Sequence, residues 1–254
     1  MIRVTVWNEY FHEQVNEQVR GIYPNGMHNT IADFLRCDDI EVRTATLYAP
    51  GTDFNCENPQ IAPDAGLTEE VLKNTDVLIW WGHCRHAFVP DEIAMRVKTE
   101  VLKGMGFIGL HSAHGSKPFR LLMGSTGYLT WRINDDVERV WTVMPSHPIA
   151  QGVGRYFELH GEETYGEPFG IPNPDDLVFI GWYNGGEVFR SGCTFHRDNG
   201  RIFYFQPGHE TYPTFHNENV QTVIRNAVRW AAPVLRVEQL TCPQVERIEP
   251  MPEK

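Results

Sequence analysis

An α/β fold, with a mainly parallel sheet covered by helices on both faces, is predicted by three observations. Strand-like and helix-like segments alternate through the first half of the chain, the rhythm of parallel strands joined by crossover helices. Residues 77–81 and 106–110 are continuous apolar runs of strand length, as expected for strands covered on both sides. The second run leads straight into Gly109-Leu110-His111-Ser112-Ala113, a small-residue turn of the kind that presents one side chain at the carboxyl edge of a sheet. Glycine and alanine allow that turn without a Cβ clash.

Residues 2–7 read as the first strand. A polar loop comes next, then a short helix over 29–36 with Ile31, Phe34 and Leu35 on one face. Residues 41–47 alternate as a strand does, and 49–66, rich in proline, glycine and asparagine, read as loop. Thr68 suits the N-cap of a helix over 69–74, which has acidic residues in its first turn. After the strand 77–81, Pro90, Asp91 and Glu92 open a helix over 93–103 that Gly104 ends. The strand 106–110 feeds the histidine turn. From Arg132 onward strands dominate, over 138–144, 177–182, 192–197 and 201–206. Asp198-Asn199-Gly200 joins the last two as a hairpin. A helix over 217–231 carries the apolar stripe Val220, Val223, Ile224, Ala227 and Val228. One domain is expected over 1–232, with a proline-rich tail over 233–254 that packs on the body or on a neighbour.

The 254 residues are 41% hydrophobic and 12% aromatic, enough for one sizeable core. A net charge of −11 removes the basic footprint that nucleic acid or an anionic membrane requires. No apolar run reaches the length of a membrane span, and the first residues show no signal-peptide pattern. Five cysteines, an odd number without a CxxC pair, fit reduced thiols, so a cytoplasmic location is expected. No P-loop or GxGxxG motif supports nucleotide binding.

Chemistry is expected where the histidines fall. His83 follows the strand 77–81 and His111 the strand 106–110. His209 follows 201–206 through Pro207-Gly208, with Glu210 beside it, and His28 precedes the helix after strand one. Ligands of an open parallel sheet bind outside the carboxyl ends of its strands, so His28, His83, His111 and His209 should meet on one rim as ligands of a divalent metal, zinc foremost. Taken singly, each reads as a hydrogen-bonding loop residue; their convergence is what points to a metal. Glu162, Glu163 and Glu210 are the carboxylates that would complete the site or act as base. Glu162 and Glu163 alone read as solvated charges, but His160 and Tyr165 surround them. His12, His86, His147, His196 and His216 read as structural or surface residues. One of Trp80 and Trp81 is core, while the other would stack a sugar at the rim; Trp131, Trp182 and Tyr183 offer the same surface. Ser112 falls one residue past the apex, where capping the following helix competes with a nucleophilic role. Cys84 and Cys193 lack the tight turn that activates a thiol.

Several segments together resemble the trehalose-utilisation, ThuA-like family: strand one ending near Asn8-Glu9, the turn Gly109-Leu110-His111-Ser112-Ala113, Ser146-His147-Pro148-Ile149, Glu162-Glu163-Thr164-Tyr165, and Gly200-Arg201-Ile202-Phe203-Tyr204 followed by Gly208-His209-Glu210. The likeness spans most of residues 1–232. It implies the fold of the class I glutamine amidotransferases, a flavodoxin-like, three-layer α/β/α sandwich with the cleft at the turn. Those enzymes place a reactive cysteine at the apex, paired with a later histidine and glutamate. Here His111 stands in the cysteine's place, so glutamine hydrolysis through a thioester is not expected, while His209 and Glu210 follow the later pair.

What the resemblance implies for function is disaccharide catabolism on sugars oxidised at C3 by a partner dehydrogenase. A 3-keto group acidifies the neighbouring C–H, so a base can expel the glycosidic oxygen. His111, Glu163, His209 and Glu210 are then the catalytic candidates, and Trp81, Ser112, Glu162 and Tyr165 the substrate contacts. The alternatives are a non-catalytic sugar- or metal-binding protein on the same fold, and a homo-oligomer assembled through the tail.

Overall fold

The computed structural model describes residues 1–56 and 59–250. Its first half is β1 (Ile2–Asn8), the short helices α1 (His12–Val15) and α2 (Glu17–Ile22), α3 (Met27–Leu35), β2 (Ile40–Thr46), α4 (Glu69–Lys73), β3 (Val77–Trp81), α5 (Asp91–Lys103), β4 (Gly106–Leu110) and α6 (Lys117–Met123). The second half is β5 (Thr130–Thr142), β6 (Tyr156–Gly166), β7 (Asp176–Tyr183), β8 (Val188–Arg197), β9 (Gly200–Phe205) and α7 (Glu218–Ala231).

Among the described residues nine strands form one sheet in the order β2-β1-β3-β4-β9-β8-β7-β5-β6. Neighbours from β2 to β9 pair in parallel, and those from β9 to β6 pair antiparallel. The parallel half matches expectation; the antiparallel strands make the sheet mixed. Val4 and Val6 face a core shared with α3 and α7. Trp7, Leu78 and Phe107 face a second core with α4, α5 and α6. Three layers result, as two apolar faces of one sheet demand.

Local chemistry explains the boundaries. Thr68 caps α4 by accepting from the Val71 amide, and Asn217 caps α7. The hairpin at Asp198-Asn199 closes with Arg197 opposite Gly200. α6 was not expected, yet its signals are present: Ser116 accepts from the Phe119 amide, Pro118 stands in the first turn, and Gly124 ends the helix at φ +65°. α1 and α2 occupy the stretch expected to be loop. α3 begins two residues before the expected start, which places His28 inside its first turn.

β6 carries Glu162 and Glu163, in a segment where the sequence predicts no strand. β5 and β6 pair along their length, with register shifts between Arg132 and Asp136 and again before Val137. Bulges of this kind bend a strand. The bend carries the end of β6 over the carboxyl ends of β4 and β9, where the Gln206 side chain donates to the Glu163 carbonyl at 3.1 Å.

The tail starts along the body. The Val237 amide donates to the Lys103 carbonyl at 2.9 Å, and Arg236 reaches the Leu72 carbonyl and the Glu100 carboxylate. Residues 238–250 are exposed. Among the described residues no helix is long and apolar enough to cross a membrane.

Candidate metal centre

The strand β4 delivers His111 to the apex of the turn with φ +51°, a left-handed conformation that a non-glycine residue holds only when its surroundings impose it. Here the surroundings do. The Tyr204 hydroxyl donates to the His111 carbonyl at 2.9 Å, and the ring is fully buried. Its Nδ1 lies 2.9 Å from the Gln206 carbonyl. A carbonyl only accepts, so the proton sits on Nδ1 and the Nε2 faces the pocket.

The other two histidines are held the same way. His83 Nδ1 is 2.9 Å from Glu210 Oε2. His209 Nδ1 is 2.8 Å from the Thr211 hydroxyl and 3.3 Å from the Thr211 amide. The Thr211 amide donates to Nδ1, and the hydroxyl can donate or accept there, so both contacts orient the ring. Each ring is thus anchored through Nδ1, the arrangement by which outer partners orient metal-bound imidazoles. His83, His111 and His209 each offer a nitrogen within 4.8 Å of the others.

Two buried carboxylates hold the loops that carry these rings. Glu9, at the end of β1, accepts the backbone N–H groups of His83, Cys84 and Arg85 at 2.8, 3.2 and 3.0 Å. Glu162, on β6, accepts those of Gly208 and His209 at 3.0 and 3.1 Å, together with the Thr214 hydroxyl at 2.8 Å. Gly208 has φ +135°, and a Cβ there would lie 2.7 Å from the Phe215 ring, so glycine is required for this turn.

Glu163 comes from the bent end of β6. Its Oε2 lies 2.9 Å from His111 Nε2 and 3.9 Å from His209 Nε2. Among the described residues His209 Nε2 is buried without a hydrogen-bond partner, and Glu163 Oε2 is met only by the imidazoles around it, His111 nearest. A buried imidazole nitrogen left without a partner is costly unless a bound group meets it.

Three imidazoles are a donor set that zinc takes in catalytic sites, which keep an open position, so His83, His111 and His209 fit a divalent ion with Glu163 beside them. Burial, with the neighbouring His111 acting in the same direction, pushes the His209 imidazole down to about 4, leaving it neutral near neutral pH. Burial alone would raise the Glu163 carboxyl, but the His111 imidazole, then His209 and His83, hold it below the usual 4.5. Burial is likewise outweighed for Glu210, held far below the usual range by His83, His209 and His12. The His83 imidazole is raised, Glu210 outweighing burial.

Of the expected site residues, His83, His111, His209, Glu163 and Glu210 meet; the others do not take the expected roles. His28 stands apart because α3 turns it inward. Its Nδ1 lies 3.1 Å from Asn8 Nδ2, its Nε2 3.2 Å from Asn29, and its ring packs edge-on against Tyr10. Trp81 is fully buried, not a stacking surface at the rim; its indole N–H donates to the Gly208 carbonyl at 2.9 Å and so steadies the His209 loop. Glu162 is fully buried, its carboxylate occupied by backbone donors and the Thr214 hydroxyl. Ser112 and Tyr165 join hydroxyls at 2.9 Å, and Tyr165 stacks on His111 with centroids 5.0 Å apart. They back the ring from within.

Two residues at the site were not expected. His12 lies beside Glu210, its Nδ1 3.6 Å from Oε1, with its ring 5.4 Å from that of His83. Glu9 gave no chemical signal beyond its place after strand one. Glu9, His12 and Cys84 form a second cluster of donor atoms. There the Cys84 thiol is pushed up to about 12 by burial and Glu9, and Glu9 already serves three amides.

A family model described as ThuA, trehalose utilisation, matches residues 3–231. No curated protein matches the sequence. Among solved structures, a ThuA-like protein from Parabacteroides merdae superposes with a TM-score of 0.62 at 13% identity, covering 94% of this chain and 92% of that one. A ThuA-like protein from Bacteroides uniformis gives 0.61 at 16% identity, with 90% of each chain covered. A cytoplasmic protein from Salmonella typhimurium LT2 gives 0.59 at 13% identity, covering 91% of this chain and 100% of that one. At such identities the likeness is one of fold.

Proposed function

As the chain belongs to the ThuA trehalose-utilisation family, we propose that it is an enzyme of disaccharide catabolism that opens a 3-keto-glycoside. In this reading His83, His111 and His209 hold a divalent cation, zinc by its donors, and Glu163 is the base. The observation that carries the reading is the convergence of nitrogens from His83, His111 and His209 within 4.8 Å of one another, with the Glu163 carboxylate against them.

Bound there, the cation supplies Lewis-acid stabilisation of negative charge on a substrate oxygen. The residues do the rest. Glu163, held ionised beside His111, accepts the proton from the carbon between the keto group and the glycosidic carbon. The C–H electron pair becomes the new C=C bond, and the glycosidic oxygen leaves with its bonding pair and takes up a proton. Glu210 keeps His83 oriented through Nδ1, and Gln206 fixes the His111 tautomer. The keto group must come from a separate oxidation of the sugar at C3, the task of a dehydrogenase acting earlier.

The test is incubation of zinc-loaded protein with 3-keto-trehalose, followed by NMR. Release of free glucose with an unsaturated keto-sugar is expected. Tight binding without product would overturn the catalytic reading and leave a sugar-binding protein.

A further inference from the structure

Trp131 is the exposed aromatic residue nearest in register to the pocket. It lies directly opposite Tyr165 in the β5–β6 pair, and directly opposite residues project to the same face of a sheet. Tyr165 on that face stacks on His111, and Glu163, two residues earlier on β6, shares the face by strand alternation. Yet Tyr165 is 2% exposed whereas Trp131 is 65% exposed. A tryptophan that open is unusual, since its area is normally buried.

The strand beneath it is firmly held. On the opposite face Arg132 pairs with Glu187 and Asp136. The bulge beyond Arg132 is pinned where the Tyr212 hydroxyl donates to Asp135 at 2.7 Å, and Tyr212 itself packs 5.6 Å from the His209 ring. Bulges next to sites commonly re-aim a side chain. Here the result is a pinned strand that holds an exposed indole across from Tyr165, the residue stacked on His111.

We propose that Trp131 is the platform for the second ring of a two-ring sugar, stacking the C–H face of the pyranose that is not oxidised. It thereby selects disaccharides over single rings. This rests on the function proposed above for its choice of ligand.

The experiment uses the full, zinc-loaded chain and calorimetric binding of trehalose and of methyl α-glucoside. Trp131→Ala is expected to weaken trehalose binding roughly tenfold, the usual scale for one aromatic stacking contact. Methyl glucoside affinity and zinc content should stay unchanged, and Trp131→Phe should keep most of the trehalose affinity. Equal weakening of both sugars, no weakening, or no sugar binding by the unaltered protein would overturn it. So would a change of oligomeric state with sugar affinity intact, which would make the indole a contact between copies. Trp131-dependent binding without turnover of the keto-sugar would sink the reaction and keep the platform; turnover with unaltered binding in Trp131→Ala would do the reverse.

Discussion

His111 Nε2 stands 2.9 Å from Glu163 Oε2, a histidine from the end of β4 facing a carboxylate that reaches it only because β6 bends across the sheet. The same ring's Nδ1 is fixed by Gln206. The two carboxylates at the pocket therefore have separable duties.

Glu163→Gln should lower turnover of a 3-keto-glycoside by about 10²–10⁴-fold, the range of a lost general base, and added zinc should not restore it. Glu210→Ala should instead weaken zinc binding about 10–100-fold, because His83 loses its Nδ1 partner, and excess zinc should recover activity. Steady-state rates across a zinc titration separate the two. The opposite pattern would exchange their roles.

Glu162 should matter to stability more than to chemistry. Glu162→Ala leaves the buried amides of Gly208 and His209 without an acceptor, at a cost of roughly 2 kcal/mol or more. Denaturant unfolding should show that loss, and zinc affinity should fall with it because His209 rides on the same loop. A variant as stable as the parent would show that water replaces the carboxylate.

Acid should destabilise the fold through its buried neutral imidazoles. Burial lowers His28 from 6.5 to about 4. Between those values the unfolded chain binds a proton that the folded chain refuses, so this contribution is intact above pH 6.5 and lost progressively toward pH 4. His86 and His114 are pushed down to about 4 by burial as well and add to the slope. Melting temperatures across that range should fall, and His28→Gln should flatten part of the fall. An unchanged slope would remove His28 from the account of acid sensitivity.

The histidines are legible in the sequence because each directly follows a strand of the parallel half, where position in sequence dictates position in space. Their carboxylate partner is less so. Residues 156–166 contain Gly161 and two adjacent glutamates, which read as a solvated turn, and only the pairing with β5 makes them a buried strand. For His28 the difference is a shift of two residues in where α3 begins, enough to turn a side chain from the rim toward β1. Glu9 and Glu162 are invisible as loop clamps because their partners are backbone amides, His83 lying 74 residues from Glu9 and His209 47 residues from Glu162; no side-chain pattern marks a backbone donor. Trp81 carries the right signal for an apolar strand and the wrong one for a rim, since covering its face depends on the Gly208 loop.

The most direct measurement is elemental analysis of untagged protein, unaltered and as His111→Asn, a substitution whose side chain tolerates the left-handed backbone at that position. About one equivalent of zinc or another divalent ion per chain is expected in the unaltered protein, and little in the variant. A metal-free unaltered protein that binds no ion on titration, or equal metal in both, would contradict a three-histidine centre.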